Sequence, residues 1–206
     1  MQTGWHIKGN LYTVVNPSGK SISTVAESQS NLDDIVEKPL SINISNIPYS
    51  IENKPLSAYK NELSALIETI QSINPEFDLS QYRISKRSVC DDNAAGIISI
   101  SYYIGDNIST KAGYNFLYEN NEVTCVSYQN KSINAAQQIS DEAKVQLCET
   151  VSNNQIVPFS SEIGDQDKES QYLVYDLDND KLICIQEHYH FDGEVWRDTR
   201  KAFSFA

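Results

Sequence analysis

Two histidines two positions apart, His188 and His190, are the residues whose spacing most directly suggests chemistry. On a β-strand both imidazoles project from one face, within reach of a single metal ion. Cys184 shares their parity and Glu187 does not. No third ligand is evident and His6 is remote, so the plainer reading is a pair of strand histidines beside aromatic residues. Asp176, Asp178 and Asp180, followed by Glu187, overlap the ligand spacing of a calcium loop. Lys181 stands where that loop needs glycine, and the flanks alternate as strands. An acidic hairpin turn is expected there, with weak calcium binding as the alternative. A Gly-x-Ser-x-Gly elbow, a Walker loop and a dinucleotide-binding glycine set are all missing, and no cysteine has a reactive context. With three histidines and 28 acidic residues, acid–base catalysis would fall on a carboxylate pair that the sequence does not single out. No catalytic residue, metal-ligand set or cofactor is assigned.

The elements that would position such groups centre on residues 96–128. Ile98, Ile100, Tyr102 and Ile104 alternate with polar or smaller side chains, the period of a half-buried strand. Gly105, Asp106 and Asn107 break the run, and Tyr114, Phe116 and Tyr118 resume it. Asn120 and Asn121 suit the positive-φ positions of a tight hairpin. A two-residue turn there sets Tyr118 opposite Val123, Phe116 opposite Cys125 and Tyr114 opposite Ser127. The result is an antiparallel meander with one apolar side.

Around it, Tyr59, Leu63, Leu66, Ile67 and Ile70 form one stripe at helical period, predicting a helix over 57–73 that Asn74 and Pro75 end. Residues 82–89 read as a strand. A second helix is expected within 135–151, capped near Ser140, with Asp141 and Glu142 at its positive end and Ala143, Leu147 and Val151 inward. An acidic loop over 158–170 is followed by strands at 172–176, 182–191 and 195–205. The strand–turn–cysteine pattern at Tyr118 and Cys125 echoes that at Tyr175 and Cys184, as a duplicated helix–meander unit would.

At the N-terminus, Thr3, Gly4 and Trp5, then Gly9 and Tyr12, then Gly19 outline a short hairpin. This pattern resembles one unit of the choline- or glucan-binding repeats of Gram-positive cell-wall-binding proteins. That family usually carries two or three adjacent aromatics where Leu11, Tyr12 and Thr13 stand here, and no second copy follows. The resemblance implies Trp5 and Tyr12 as contact residues for a wall polymer or choline. Residues 27–54 are polar and punctuated by Pro39 and Pro48, which reads as a linker with one short strand at 41–45. The expected organisation is thus a hairpin at 1–26, a linker at 27–54 and an α+β domain at 55–206. In that domain two helices pack on one face of an antiparallel sheet. Helix followed by antiparallel meander resembles the cystatin-like folds and the PepSY modules of secreted bacterial proteins, which implies an architecture only.

The totals narrow the function. A net charge of −12 with scattered Lys and Arg argues against a nucleic-acid partner. No apolar run has the length of a membrane span, and no secretory signal opens the chain. Cys90, Cys125, Cys148 and Cys184 allow two disulfides in three connectivities, or four thiols; the Asn- and Ser-rich composition and the repeat resemblance favour an oxidised, extracellular protein. Sequons at Asn43, Asn107 and Asn130 arise readily by chance in a chain so rich in Asn and Ser. The expectation is a non-catalytic extracellular or cell-surface binding module of a Gram-positive bacterium. Its partner would be a cell-wall polymer or a secreted protein. A PepSY-like or cystatin-like peptidase inhibitor is one alternative, and a hydrolase built on His188, His190 and an acid is another.

Overall fold

The computed structural model describes residues 11–15, 21–26, 34–88 and 94–205. Two short strands come first, β1 (Leu11–Val15) and β2 (Ser21–Ala26). Then follow β3 (Ile35–Asn43), β4 (Ile51–Pro55), α1 (Ser64–Ile73), β5 (Tyr82–Ser88), β6 (Ala95–Ile104), β7 (Ile108–Glu119), β8 (Glu122–Gln129) and α2 (Asn130–Gln137). The chain closes with α3 (Asp141–Asn153), β9 (Phe159–Glu162), β10 (Asp167–Asp176), β11 (Lys181–Phe191) and β12 (Trp196–Phe205). These form two compact units, one of Asp34–Ser140 and one of Met1–Asp33 with Asp141–Ala206. The architecture is α+β with mixed, mostly antiparallel sheet. It carries three described helices where two were expected: α3 starts directly after the expected cap Ser140, and α2 is the addition, separated from it by Gln138, Ile139 and Ser140.

In the Asp34–Ser140 unit the antiparallel order is β3-β8-β7-β6-β5-β4. The alternation in β6 and β7 reads through directly: Ile98, Ile100, Tyr102, Ile104, Tyr114, Phe116 and Tyr118 are all buried. Leu66, Ile67 and Ile70 of α1 and Ile133 and Ala136 of α2 are buried too. The expected first helix begins late, with a 3-10 turn at Leu56–Tyr59 ahead of α1. Asn120 and Asn121 adopt φ of 51° and 61°, the left-handed turn foreseen for them. The register beyond that turn corrects the expectation. Tyr118 does face Val123, but Leu117 faces Cys125, Phe116 faces Val126 and Tyr114 faces Tyr128. The pairing shifts between Leu117 and Tyr118, as a β-bulge on β8 does. That extra residue brings Val126 and Tyr128 onto the buried face, where an unbroken ladder would have put Cys125 and Ser127.

The stretch read as a linker, 27–54, contains two sheet strands, β3 and β4. Pro39 had argued against a strand. It lies where the β3–β8 pairing shifts register, on a strand that among the described residues pairs with β8 alone, so its missing N–H interrupts little.

In the other unit the order is β2-β1-β12-β11-β10-β9. Among the described strand pairs of this unit, β1 with β12 is parallel, aligned at Val14 and Ala202, and the others are antiparallel. Val174, Ile183, Ile185 and Ala202 form a core cluster, with Tyr172 packed against it. The expected acidic loop over 158–170 holds β9 and the start of β10. Ala143 and Leu147 of α3 are half-buried, Val151 is buried and Cys148 is exposed.

Candidate functional site

The β10–β11 ladder decides which side chains meet. Asp167 pairs with His190, Glu169 with His188, Gln171 with Gln186 and Leu173 with Cys184. Directly opposed residues share a face, so Asp167, Glu169, His188 and His190 all stand on one side of this sheet. Cys184 lies on that side too, as parity required, and Glu187 on the other.

Asp167 completes what the sequence left open. Its Oδ1 lies 3.0 Å from Nε2 of His188 and 2.8 Å from Nδ1 of His190. A carboxylate only accepts, so each of these ring nitrogens carries the proton and donates it. The two donors hold the Asp167 carboxyl below its ordinary pKa, His190 contributing most. The opposite nitrogens, Nδ1 of His188 and Nε2 of His190, keep a lone pair when the imidazoles are neutral. All three side chains are partly exposed, His188 at 46%, His190 at 47% and Asp167 at 36%, so the cluster occupies an open sheet surface. Nearby, Nε2 of Gln186 donates to Oε1 of Gln171 at 2.8 Å. Asp167 escaped the sequence reading because it is 21 residues from His188 and fell in an expected loop. The usable signal was the alternation of β10 carried backward from Tyr172.

The opposite face carries a second polar group, and this one is buried. Glu187 is 8% exposed and sits between Arg200, its cross-strand neighbour, and two phenols. Tyr172 donates to Oε1 at 2.8 Å and Tyr189 to Oε2 at 2.9 Å. Asp198 lies 3.9 Å from Arg200. Burial, and then the Glu187 charge, push the Asp198 carboxyl up, while Arg200 opposes them. Burial and the Glu187 hydrogen bond push the Tyr189 phenol up to about 12. This group sits beside the core cluster and acts as a structural clamp.

The remaining sequence expectations land as follows. Trp5 lies outside the described residues. Tyr12 falls in β1, paired with Val25, and its side chain lies outside them. At the acidic turn, Oδ1 of Asp176 accepts from the backbone N–H of Asp178 (3.0 Å) and of Asn179 (3.2 Å). Asp180 accepts from the Tyr175 hydroxyl. Among the described residues no three His, Cys, Asp or Glu side chains stand as a metal cage. The expected disulfides are corrected for the described cysteines, since Cys125, Cys148 and Cys184 are thiols and Cys90 lies outside the described residues. Cys184 is buried, which pushes its thiol up to about 11 and leaves it a poor nucleophile. No described helix is long and apolar enough to cross a membrane.

No protein-family model matches the chain. No curated protein and no solved structure matches it either. The cell-wall-repeat and PepSY resemblances therefore rest on the sequence features alone.

Proposed function

We propose that this protein is a non-catalytic binding module, working outside the cell or on the surface of a Gram-positive bacterium. Its partner is a cell-wall polymer or a secreted protein. The observation that carries the binding reading is the exposed face of the β9–β10–β11 ladder. There a polar His–Asp cluster lies open to solvent beside Phe159 and Ile163, two large apolar side chains at 46% and 58% exposure. Apolar anchors next to unburied polar groups suit a recognition surface. The location rests on the Thr3–Gly4–Trp5 pattern; the thiols at Cys125, Cys148 and Cys184 lend it no support.

Sedimentation with purified Gram-positive cell walls, before and after protease treatment of the walls, tests the proposal. Retention on both preparations, reduced by Trp5→Ala and Tyr12→Ala, indicates a polymer. Retention lost on protease treatment indicates a protein partner. Retention on neither refutes the reading.

The convergence of His188, His190 and Asp167 favours a second reading, a hydrolase using an Asp–His pair as general base. Turnover of ester or peptide substrates that Asp167→Asn abolishes would establish it. Turnover unaffected by that substitution would dismiss it.

A further inference from the structure

We propose that the outer edge of β9 takes an extended, basic peptide segment as an added strand, which gives the binding reading above its partner chemistry and rests on that reading. Among the described residues β9 pairs only with β10. The N–H of Ile163 donates to the carbonyl of Asp167 at 2.8 Å, so Ile163 turns its backbone groups toward β10. In an antiparallel ladder that direction repeats every second residue. Phe159 and Ser161 therefore also face β10, and Ser160 and Glu162 turn their N–H and C=O groups outward. All four β9 residues are exposed. An edge of this kind is a template for another strand.

The side chains specify the guest. Phe159, Ser161 and Ile163 point to the same face as Asp167 and Glu169, their ladder relations on β10. Ser160 and Glu162 point to the other. An added strand gains from an apolar residue opposite Phe159 and another opposite Ile163, four positions apart, as cross-strand neighbours. Opposite Glu162 a Lys or Arg is favoured. Glu162 now pairs with Lys168 at 3.0 Å with both side chains well exposed, a contact that a second cation displaces at little cost. Over residues 159–169 four carboxylates stand against one lysine. A second copy of this chain is disfavoured, because it would bring two such acidic edges together in a protein of net charge −12. The fitting segment reads apolar–basic–x–x–apolar in the antiparallel sense.

The probe is a fluorescein-labelled, end-blocked peptide, Thr-Val-Lys-Thr-Thr-Val-Thr, titrated with the full chain by fluorescence anisotropy. Saturable binding is expected, weaker by about tenfold when Glu replaces the Lys, the loss of one charge-assisted contact. Ser160→Pro removes an outward N–H that the β10 ladder does not use, and is expected to weaken binding at least about tenfold while far-UV circular dichroism stays unchanged. Should that variant misfold, a peptide N-methylated at the Lys and at the Thr opposite Ser160 is the substitute, with the same loss expected. No saturable binding, equal binding of the Glu peptide, or undiminished binding with the edge N–H groups blocked on either strand overturns the inference. Retention on cell walls without peptide binding would refute strand addition alone, whereas failure of both would remove the binding reading as well.

Discussion

Replacing Glu187 by Gln keeps the shape and one acceptor oxygen of the side chain but removes the charge that Arg200 faces. Glu187 is 8% exposed and Arg200 18%, so neither partner is well hydrated when the other is lost. Breaking a buried ion pair from one side costs about 3–5 kcal/mol. Here Arg200 retains Asp198 at 3.9 Å, which offsets part of the loss and brings the expectation to about 2–3 kcal/mol. Arg200→Met should cost a similar amount, since it strands Glu187 beside two phenols and a raised Asp198. The double variant should cost less than the sum by about 1–2 kcal/mol, because neither charge is then left unpaired. Urea unfolding followed by far-UV circular dichroism at neutral pH measures all three.

The same cycle has a pH signature. The folded Asp198 carboxyl has a raised pKa, so the native state holds that proton more tightly than the unfolded chain. Stability from this group is therefore present at low pH and falls as pH climbs from the ordinary aspartate value to the raised one. Glu187→Gln removes one cause of the raised value and should make that fall shallower. A single-variant loss under about 0.5 kcal/mol, or strictly additive losses, would refute the clamp.

Three further outcomes are expected. Gly96→Ala should destabilise by about 1–3 kcal/mol in urea unfolding, because an added Cβ would meet the Arg87 carbonyl and the Tyr118 phenol well inside contact distance; an unchanged midpoint would refute that close approach of the Arg87 backbone and the Tyr118 ring. Lys86, 4% exposed with its ammonium 5.0 Å from the Tyr118 ring centroid, has a pKa lowered by burial, so stability should rise with pH from that lowered value to the ordinary lysine value. Lys86→Met should abolish that rise and be neutral or up to about 1 kcal/mol more stable, and a pH profile identical to that of the unsubstituted protein would count against it. With maleimide near neutral pH, peptide mapping should find Cys148 modified first and Cys184 only after unfolding; equal rates would contradict the burial of Cys184.

The parts legible in the sequence were those where one physical signal spoke alone. Alternation in β6 and β7 placed Ile98 to Tyr118 correctly, and the paired asparagines marked the turn from β7 into β8. Prolines and bulges hid the rest. The three-residue step from Val123 to Val126 breaks the period of two, and a bulge is what reconciles it with a continuous buried face. Pro39 masked β3 because its tolerance depends on which neighbour the strand has, a property of the sheet. Phe159 to Glu162 has no apolar alternation at all and becomes a strand only because β10 offers it a partner. Of the candidate site, the shared face of His188 and His190 followed from parity. Asp167 did not, since cross-strand register between β10 and β11 is set by a hairpin whose turn length the acidic run at 176–180 left ambiguous.

The pairing of Val14 with Ala202 has a consequence for how the chain acquires its structure. The Asp34–Ser140 unit is continuous in sequence, and its six strands β3 to β8 pair with one another in one ladder. During synthesis it can close as soon as β8 has emerged, while β1 and β2 wait as a hairpin without their sheet. Their neighbour β12 is among the last residues made. The entropy of joining those distant segments falls if the intervening stretch is already folded, since a compact insert shortens the loop that must be closed. Vectorial synthesis thus sets an order of assembly, inner unit first and outer unit last, and leaves the β9 edge and the His–Asp face among the final surfaces to form.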